Sequence, residues 1–103
     1  MYLHEFKKVA LTTRAQALLD ALATRVVIAD GAMGTMLQDQ KPTLEDFLGH
    51  EGCNEVLNRT RPDIVSSVHD AYFEAGVDCV ETNTFGANWS NLSDYGIEDQ
   101  IEE

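Results

Sequence analysis

The spacing of apolar positions changes character along the chain, and each change marks an element. Ala15, Leu18, Leu19 and Leu22 recur at i, i+3, i+4 and i+7, which predicts a helix from Thr13 to about Thr24. Thr12 or Thr13 supplies a side-chain oxygen to cap it. Val26-Val27-Ile28-Ala29 is then a short unbroken run dominated by β-branched residues, the pattern of a strand buried on both faces in a parallel sheet. Pro62 opens a second helix at a position where its missing N–H costs nothing, and Asp63 sits in its first turn. Ile64, Val65, Val68, Ala71, Tyr72 and Ala75 make one apolar stripe on it, and Gly76 ends it as a left-handed cap. Val77 to Thr84 predicts a second strand, with polar residues gathered at its C-terminal end. Strand, helix, strand is a βαβ unit with parallel strands and a right-handed crossover.

The other segments are less regular. Residues 1–11 are unpatterned and read as a mobile lead-in. Residues 39–61 read as a long polar connection with a short helix around Leu44–Leu48, and a connection of that length in a small domain is often functional. Asn91 to Tyr95 predicts one or two helical turns broken by Gly96. Ile97 to Glu103 carries four acids in seven residues, which suits the start of a helix and not its end.

Charge narrows the partners. The 103 residues hold 18 Asp or Glu against 7 Lys or Arg, a net of −11. Nucleic acid and anionic membrane surfaces are thereby disfavoured, because both are negative. The excess is uneven: residues 1–34 carry 3 acids and 4 bases, whereas residues 35–103 carry 15 acids and 3 bases. No stretch nears the ~20 apolar residues of a membrane span, and no secretory signal is visible, so a cytoplasmic location is expected. Without secretion, the glycosylation patterns at Asn58, Asn88 and Asn91 are coincidental. Cys53 and Cys79 lie 26 residues apart and form no metal-binding spacing. His4, His50 and His69 are scattered and read as surface residues, and Met33 with Met36 reads as packing.

Ligands of parallel α/β folds bind at the C-terminal ends of the strands. That rule selects Asp30-Gly31-Ala32-Met33-Gly34-Thr35 after the first strand and Glu81-Thr82-Asn83-Thr84 at the end of the second. Together they offer two carboxylates, hydroxyls, an amide and backbone N–H groups. Such a set suits a zwitterionic amino acid, whose ammonium needs a carboxylate and whose carboxylate needs donors. The competing reading makes Asp30 a turn residue bonding its own backbone, and turns Glu81 outward or pairs it within a barrel wall. The G-x-x-G spacing matches no phosphate-binding loop.

In chain order, Val26 to Met36, then Gly52-Cys-Asn-Glu-Val-Leu-Asn58, Arg61-Pro-Asp63, Ala71 to Gly76 and Glu81-Thr-Asn-Thr-Phe-Gly86 resemble the homocysteine S-methyltransferase family. The likeness is closest to its cobalamin-dependent members and covers residues 25–103. It implies a (β/α)8 TIM barrel that transfers a methyl group to the thiol of homocysteine. In those members the methyl group comes from methylcobalamin, recharged by methyltetrahydrofolate bound on other domains. It also implies a zinc ion, held by three cysteines, that keeps the thiol deprotonated. Asp30, Gly31, Gly34 and Thr35, with Glu81, Thr82, Asn83 and Thr84 nearby, then take the amino-acid group of homocysteine.

The family's zinc cysteines lie in asparagine–cysteine and glycine–cysteine–cysteine motifs, which these residues do not contain, so no metal ligand and no catalytic residue is assigned here. A barrel takes about 250 residues. The expectation is therefore an α/β chain made of a lead-in and helix (1–24) and an incomplete barrel (25–103), comprising the first two strands with their helices and inactive alone. Three alternatives stay open: a homocysteine methyltransferase using another methyl donor, a barrel enzyme binding Mg²⁺ through Asp30 and Glu81, and a small acidic interaction module.

Overall fold

The computed structural model describes residues 11–103, so the expected lead-in lies almost wholly outside the described residues. Helix α1 spans Thr13–Thr24, and Thr12 caps it: its Oγ1 accepts a hydrogen bond from Ala15 N at 3.1 Å. Helix α2 spans Gly34–Asp39. A 3-10 turn at Asn54–Val56 runs directly into α3, Leu57–Thr60. Helix α4, Pro62–Ala75, begins on its proline and ends at Gly76 with φ +104°, as the sequence predicts. Helix α5 is Trp89–Ser93, capped by Asn88, whose Oδ1 accepts from Asn91 N at 2.9 Å. The acidic tail makes a single 3-10 turn, Glu98–Gln100.

Leu44–Leu48 forms consecutive turns and no helix. Leu48 and Gly49 both take left-handed backbone, φ +53° and +80°, which a right-handed helix cannot continue through. The polar connection over 39–61 instead contains α3 and the end of α2. Both are less than two turns long, too short to show a period.

Neither expected strand forms among the described residues, and the two segments meet at a single point. Among the described residues they share one parallel bridge, Ala29 to Cys79. Cys79 N donates to Ile28 O at 3.3 Å and Asp30 N donates to Cys79 O at 3.1 Å. The ladder stops because aspartate side chains take the next donors. Ile28 N donates to Asp78 Oδ2 at 2.9 Å, and Glu81 N donates to Asp30 Oδ1 at 3.0 Å. The same Asp78 oxygen accepts from Arg25 Nη1 at 2.9 Å.

Packing centres on α4. Helices α2 and α3 lie against it, and Leu37, Phe47, Leu57, Ile64, Val65 and Val68 form the main core, flanked by Met33, Met36 and Tyr72. The paired methionines thus pack, as expected. Ala71 and Ala75 of the predicted stripe stay exposed. A second cluster, Cys53, Val56, Leu92 and Ile97 with Tyr95, ties α5 to the 3-10 turn before α3. His50 is half-buried, edge-on to Tyr95 with ring centroids 5.9 Å apart, and so is more than a surface residue. Helix α1 has no buried residue. The radius of gyration is 16.4 Å, above the ~13 Å of a closed 100-residue domain.

Two outcomes follow. Leu57 is fully buried and Leu22 is 55% exposed. Leu57→Ala should cost about 2–5 kcal/mol in urea unfolding, and Leu22→Ala no more than about 0.5 kcal/mol. Equal costs would contradict the assigned core. The second outcome concerns acid. Bonding to Arg25, then to Ile28 N, holds the Asp78 carboxyl below its ordinary range. Its folded value is lower than its unfolded one, so its contribution is present above about pH 4 and is lost as pH falls through the folded value. Asp78→Asn should therefore flatten the decline in thermal midpoint below about pH 4. Parallel profiles for the two proteins would remove Asp78 as a contributor.

Candidate functional site

The turn after the first pairing segment is built from both sides. Asp30 N is held by Cys79 O and Asp30 Oδ1 by Glu81 N, so the two predicted clusters lie side by side at one end of the pairing. Asp30 is thus a turn-stabilising residue and a neighbour of the second cluster at once. Tyr72 of α4 reaches over the turn and its hydroxyl donates to Ala32 O at 2.7 Å. A Cβ on Gly31 would lie 3.3 Å from that hydroxyl oxygen, so glycine fits where the tyrosine crosses the backbone. Gly34 begins α2, whose first turn has no side-chain cap, and a Cβ there would lie 3.4 Å from Asn54 Nδ2. Thr35 is exposed in that turn.

The second cluster divides into outward and inward residues. Glu81, Thr82 and Thr84 are exposed, and the two threonine hydroxyls share a hydrogen bond of 2.7 Å. Asn83 points the other way and is the one buried polar residue of the described core. Its Nδ2 donates to Asn54 O at 2.9 Å and to Asn58 Oδ1 at 3.0 Å. Asn58 Nδ2 returns a bond to Asn83 O at 2.7 Å. Asn83 was grouped with the substrate contacts, but this amide is committed to the chain beneath it.

Gly86 is gripped from two sides. Its N–H donates to Glu55 Oε1 at 2.7 Å, and its carbonyl accepts from Asn91 Nδ2 at 2.9 Å. A Cβ would collide with Asn91 Nδ2 and lie 2.6 Å from Glu55 Oε1. From the sequence, Glu55 carries no assigned role, Tyr72 figures in the α4 apolar stripe, and Asn58 and Asn91 figure in glycosylation patterns. Glu55 and Asn58 do belong to the quoted Gly52–Asn58 motif, a signal that went without a role.

Electrostatics at the margin is structural. Arg61 forks onto Asp63, Nε to Oδ1 at 3.0 Å and Nη2 to Oδ2 at 2.9 Å, and its Nη1 reaches Asp46 Oδ2 at 3.1 Å. Asp63 is held below its usual carboxyl range, chiefly by that bond to Arg61. Asp46 is lowered first by Thr43 N, at 2.8 Å, and also by Arg61. Burial pushes the Cys53 thiol up, away from thiolate. Among the described residues no group of three His, Cys, Asp or Glu side chains is placed to hold a metal ion. The donors present therefore do not fit the zinc that the resemblance implies, and a Mg²⁺ site on Asp30 and Glu81 has no third ligand here.

One parallel bridge joins the segments on either side of α4, and polar turns lie side by side at one end of it. Residues 27–103 match the homocysteine S-methyltransferase family, and the chain belongs to that family, one of TIM-barrel methyltransferases. It is similar to the methionine synthase of Mycobacterium leprae (strain TN), 63% identical over 86 residues, covering 84% of this chain and 7% of that protein. It is also similar to the methionine synthase of Mycobacterium tuberculosis (strain ATCC 25618 / H37Rv), 62% identical over 86 residues with the same coverage. The chain thus spans about 7% of the length of these curated relatives. No solved structure matches the chain significantly. No helix among the described residues is long and apolar enough to cross a membrane.

The Asp30 bond to Glu81 N can be weighed directly. Asp30→Ala removes the acceptor and should lower stability by about 1 kcal/mol in chemical denaturation. Asp30→Asn keeps an oxygen there and should cost less than half of that. A larger loss with Asn than with Ala would contradict the assigned bond.

Proposed function

We propose that this chain is the opening part of a homocysteine-methylating TIM barrel, and that its two clusters take the amino-acid group of homocysteine. The observation that carries this is the bond from Glu81 N to Asp30 Oδ1, with Asp30 N on Cys79 O, which brings the two motif ends together. Family membership supplies the reaction class. In that reaction the homocysteine thiol loses its proton, the bond between the methyl group and its donor breaks as the new S–CH3 bond forms, and methionine and the demethylated donor leave.

A carboxylate has about four lone-pair sites. Asp30 therefore has acceptor capacity for an ammonium group beyond its bond to Glu81. The exposed Thr35, Thr82 and Thr84 hydroxyls supply donors for a carboxylate. Methylcobalamin, methyltetrahydrofolate and zinc belong to the proposed whole enzyme. The described residues bind the amino-acid end of the substrate and supply no thiol-activating group, so the 103 residues alone give no turnover.

The test is a titration of the isotope-labelled chain with L-homocysteine, followed by amide NMR shifts. Shifts confined to Asp30–Thr35 and Glu81–Thr84, and lost in Asp30→Ala, are expected. Absence of shifts, or shifts elsewhere in the chain, would overturn the substrate assignment. Mg²⁺-dependent thermal stabilisation lost in the same variant would favour the carboxylate–metal alternative.

A further inference from the structure

We propose that Glu55 and Asn58 are positioning residues: they hold the Thr82–Gly86 turn from beneath and so set the Thr82 and Thr84 hydroxyls against the substrate. This rests on the substrate reading above and names how that site is kept in shape.

The grip falls on the frame of the turn and spares its outward side chains. Asn58 Nδ2 holds the Asn83 carbonyl at 2.7 Å and Asn58 Oδ1 holds the Asn83 amide at 3.0 Å. Glu55 Oε1 holds Gly86 N at 2.7 Å. Backbone is therefore fixed at positions 83 and 86, on either side of Thr84 and Phe85. Phe85 is fully exposed, and among the described residues the Thr82 and Thr84 hydroxyls bond only each other. A turn restrained in this way presents two hydroxyls at a fixed separation without using them for its own stability.

The physics favours these two residues over a generic loop contact. An ionised carboxylate accepting a backbone N–H makes a stronger bond than a neutral acceptor. Asn83 is 7% exposed, so losing its partners leaves a buried amide unpaired. Residue 86 has no room for a side chain, because a Cβ would occupy the place of Glu55 Oε1 and Asn91 Nδ2. Glu55 and Asn58 sit on the 3-10 turn and α3, and Leu57 between them is fully buried in the α4 core. The turn is thus referenced to the rigid part of the molecule.

The test uses the labelled chain and two readouts, residue-resolved amide exchange and the homocysteine titration. Glu55→Ala should speed exchange at Gly86 about tenfold or more and leave residues 64–72 within about twofold. It should weaken homocysteine binding, read at Thr82 and Thr84, by a similar factor. Glu55→Gln keeps an amide oxygen for Gly86 N and should restore most of both. Asn58→Asp, which keeps Oδ1 but loses the donor to Asn83 O, is the second variant should Glu55→Ala fail to fold, and should free the turn likewise. Unchanged exchange at Gly86 overturns the proposal, as does faster exchange spread evenly through α4. Freed exchange with unchanged homocysteine affinity overturns it too, leaving a structural role alone. No homocysteine shifts in the unmutated chain would remove the substrate reading and this proposal together.

Discussion

Two aspartates delimit the pairing on which the arrangement depends. In a regular parallel ladder Ile28 N would go to Val77 O and Glu81 N to Asp30 O. Here Asp78 takes the first donor and the Asp30 side chain takes the second. The pairing is cut to one bridge, yet its register is set from both ends by carboxylates that tolerate no slip. A one-residue shift would turn every side chain of the segment to the opposite face and break both bonds. Local stabilisation by two side chains therefore does what a longer ladder does elsewhere.

From that register the rest follows in layers. Placing Asp30 beside Glu81 puts the Gly31–Ala32 turn under the α4 tyrosine, and α4 is fixed by the same core that buries Leu57. Leu57 lies between Glu55 and Asn58, so core packing transmits its rigidity to the polar knot around Asn83 and Gly86. Apolar packing and polar bonding meet on a seven-residue stretch, Asn54–Thr60. Buried amides with several partners are costly to leave half-satisfied, which makes such a knot all-or-none in geometry.

The long helices were legible because period and caps agreed: α1 is capped by Thr12, α4 begins at Pro62, and both end where the pattern ends. The proximity of the two polar clusters was legible by topology, since segments paired in parallel bring the same ends together. Other features were hidden for physical reasons. Asn83 has the same identity as a ligand contact and a buried clamp, and only its rotation inward separates them. Asn54 and Asn58 become important through a partner 25 to 29 residues away, which no local pattern encodes. The shortness of the pairing depends on which oxygen of Asp30 a distant N–H selects. Homocysteine S-methyltransferase membership was readable from ordered motifs, which carry long-range information that periodicity lacks.

The apolar surface left uncovered is the other side of the same geometry. Val26 is 83% exposed and Ile28 55%, although their unbroken β-branched run is the pattern of a strand covered on both faces. Leu18, Leu19 and Leu22 of α1 and Phe73 of α4 are likewise about half exposed. A groove of about 470 Å³ runs between α1 and the pairing, lined by Leu18, Val27 and Phe73 among others. Pattern and burial conflict only around the pairing and α1, whereas they agree on α4 and its neighbours. A lone parallel pair is not expected to be stable without further strands or covering helices. The burial that the pattern predicts is therefore found around α4, where Leu37, Leu57 and Val68 are fully enclosed. The segment Val26–Ile28 carries a pattern suited to burial, and Val26 and Ile28 stand exposed.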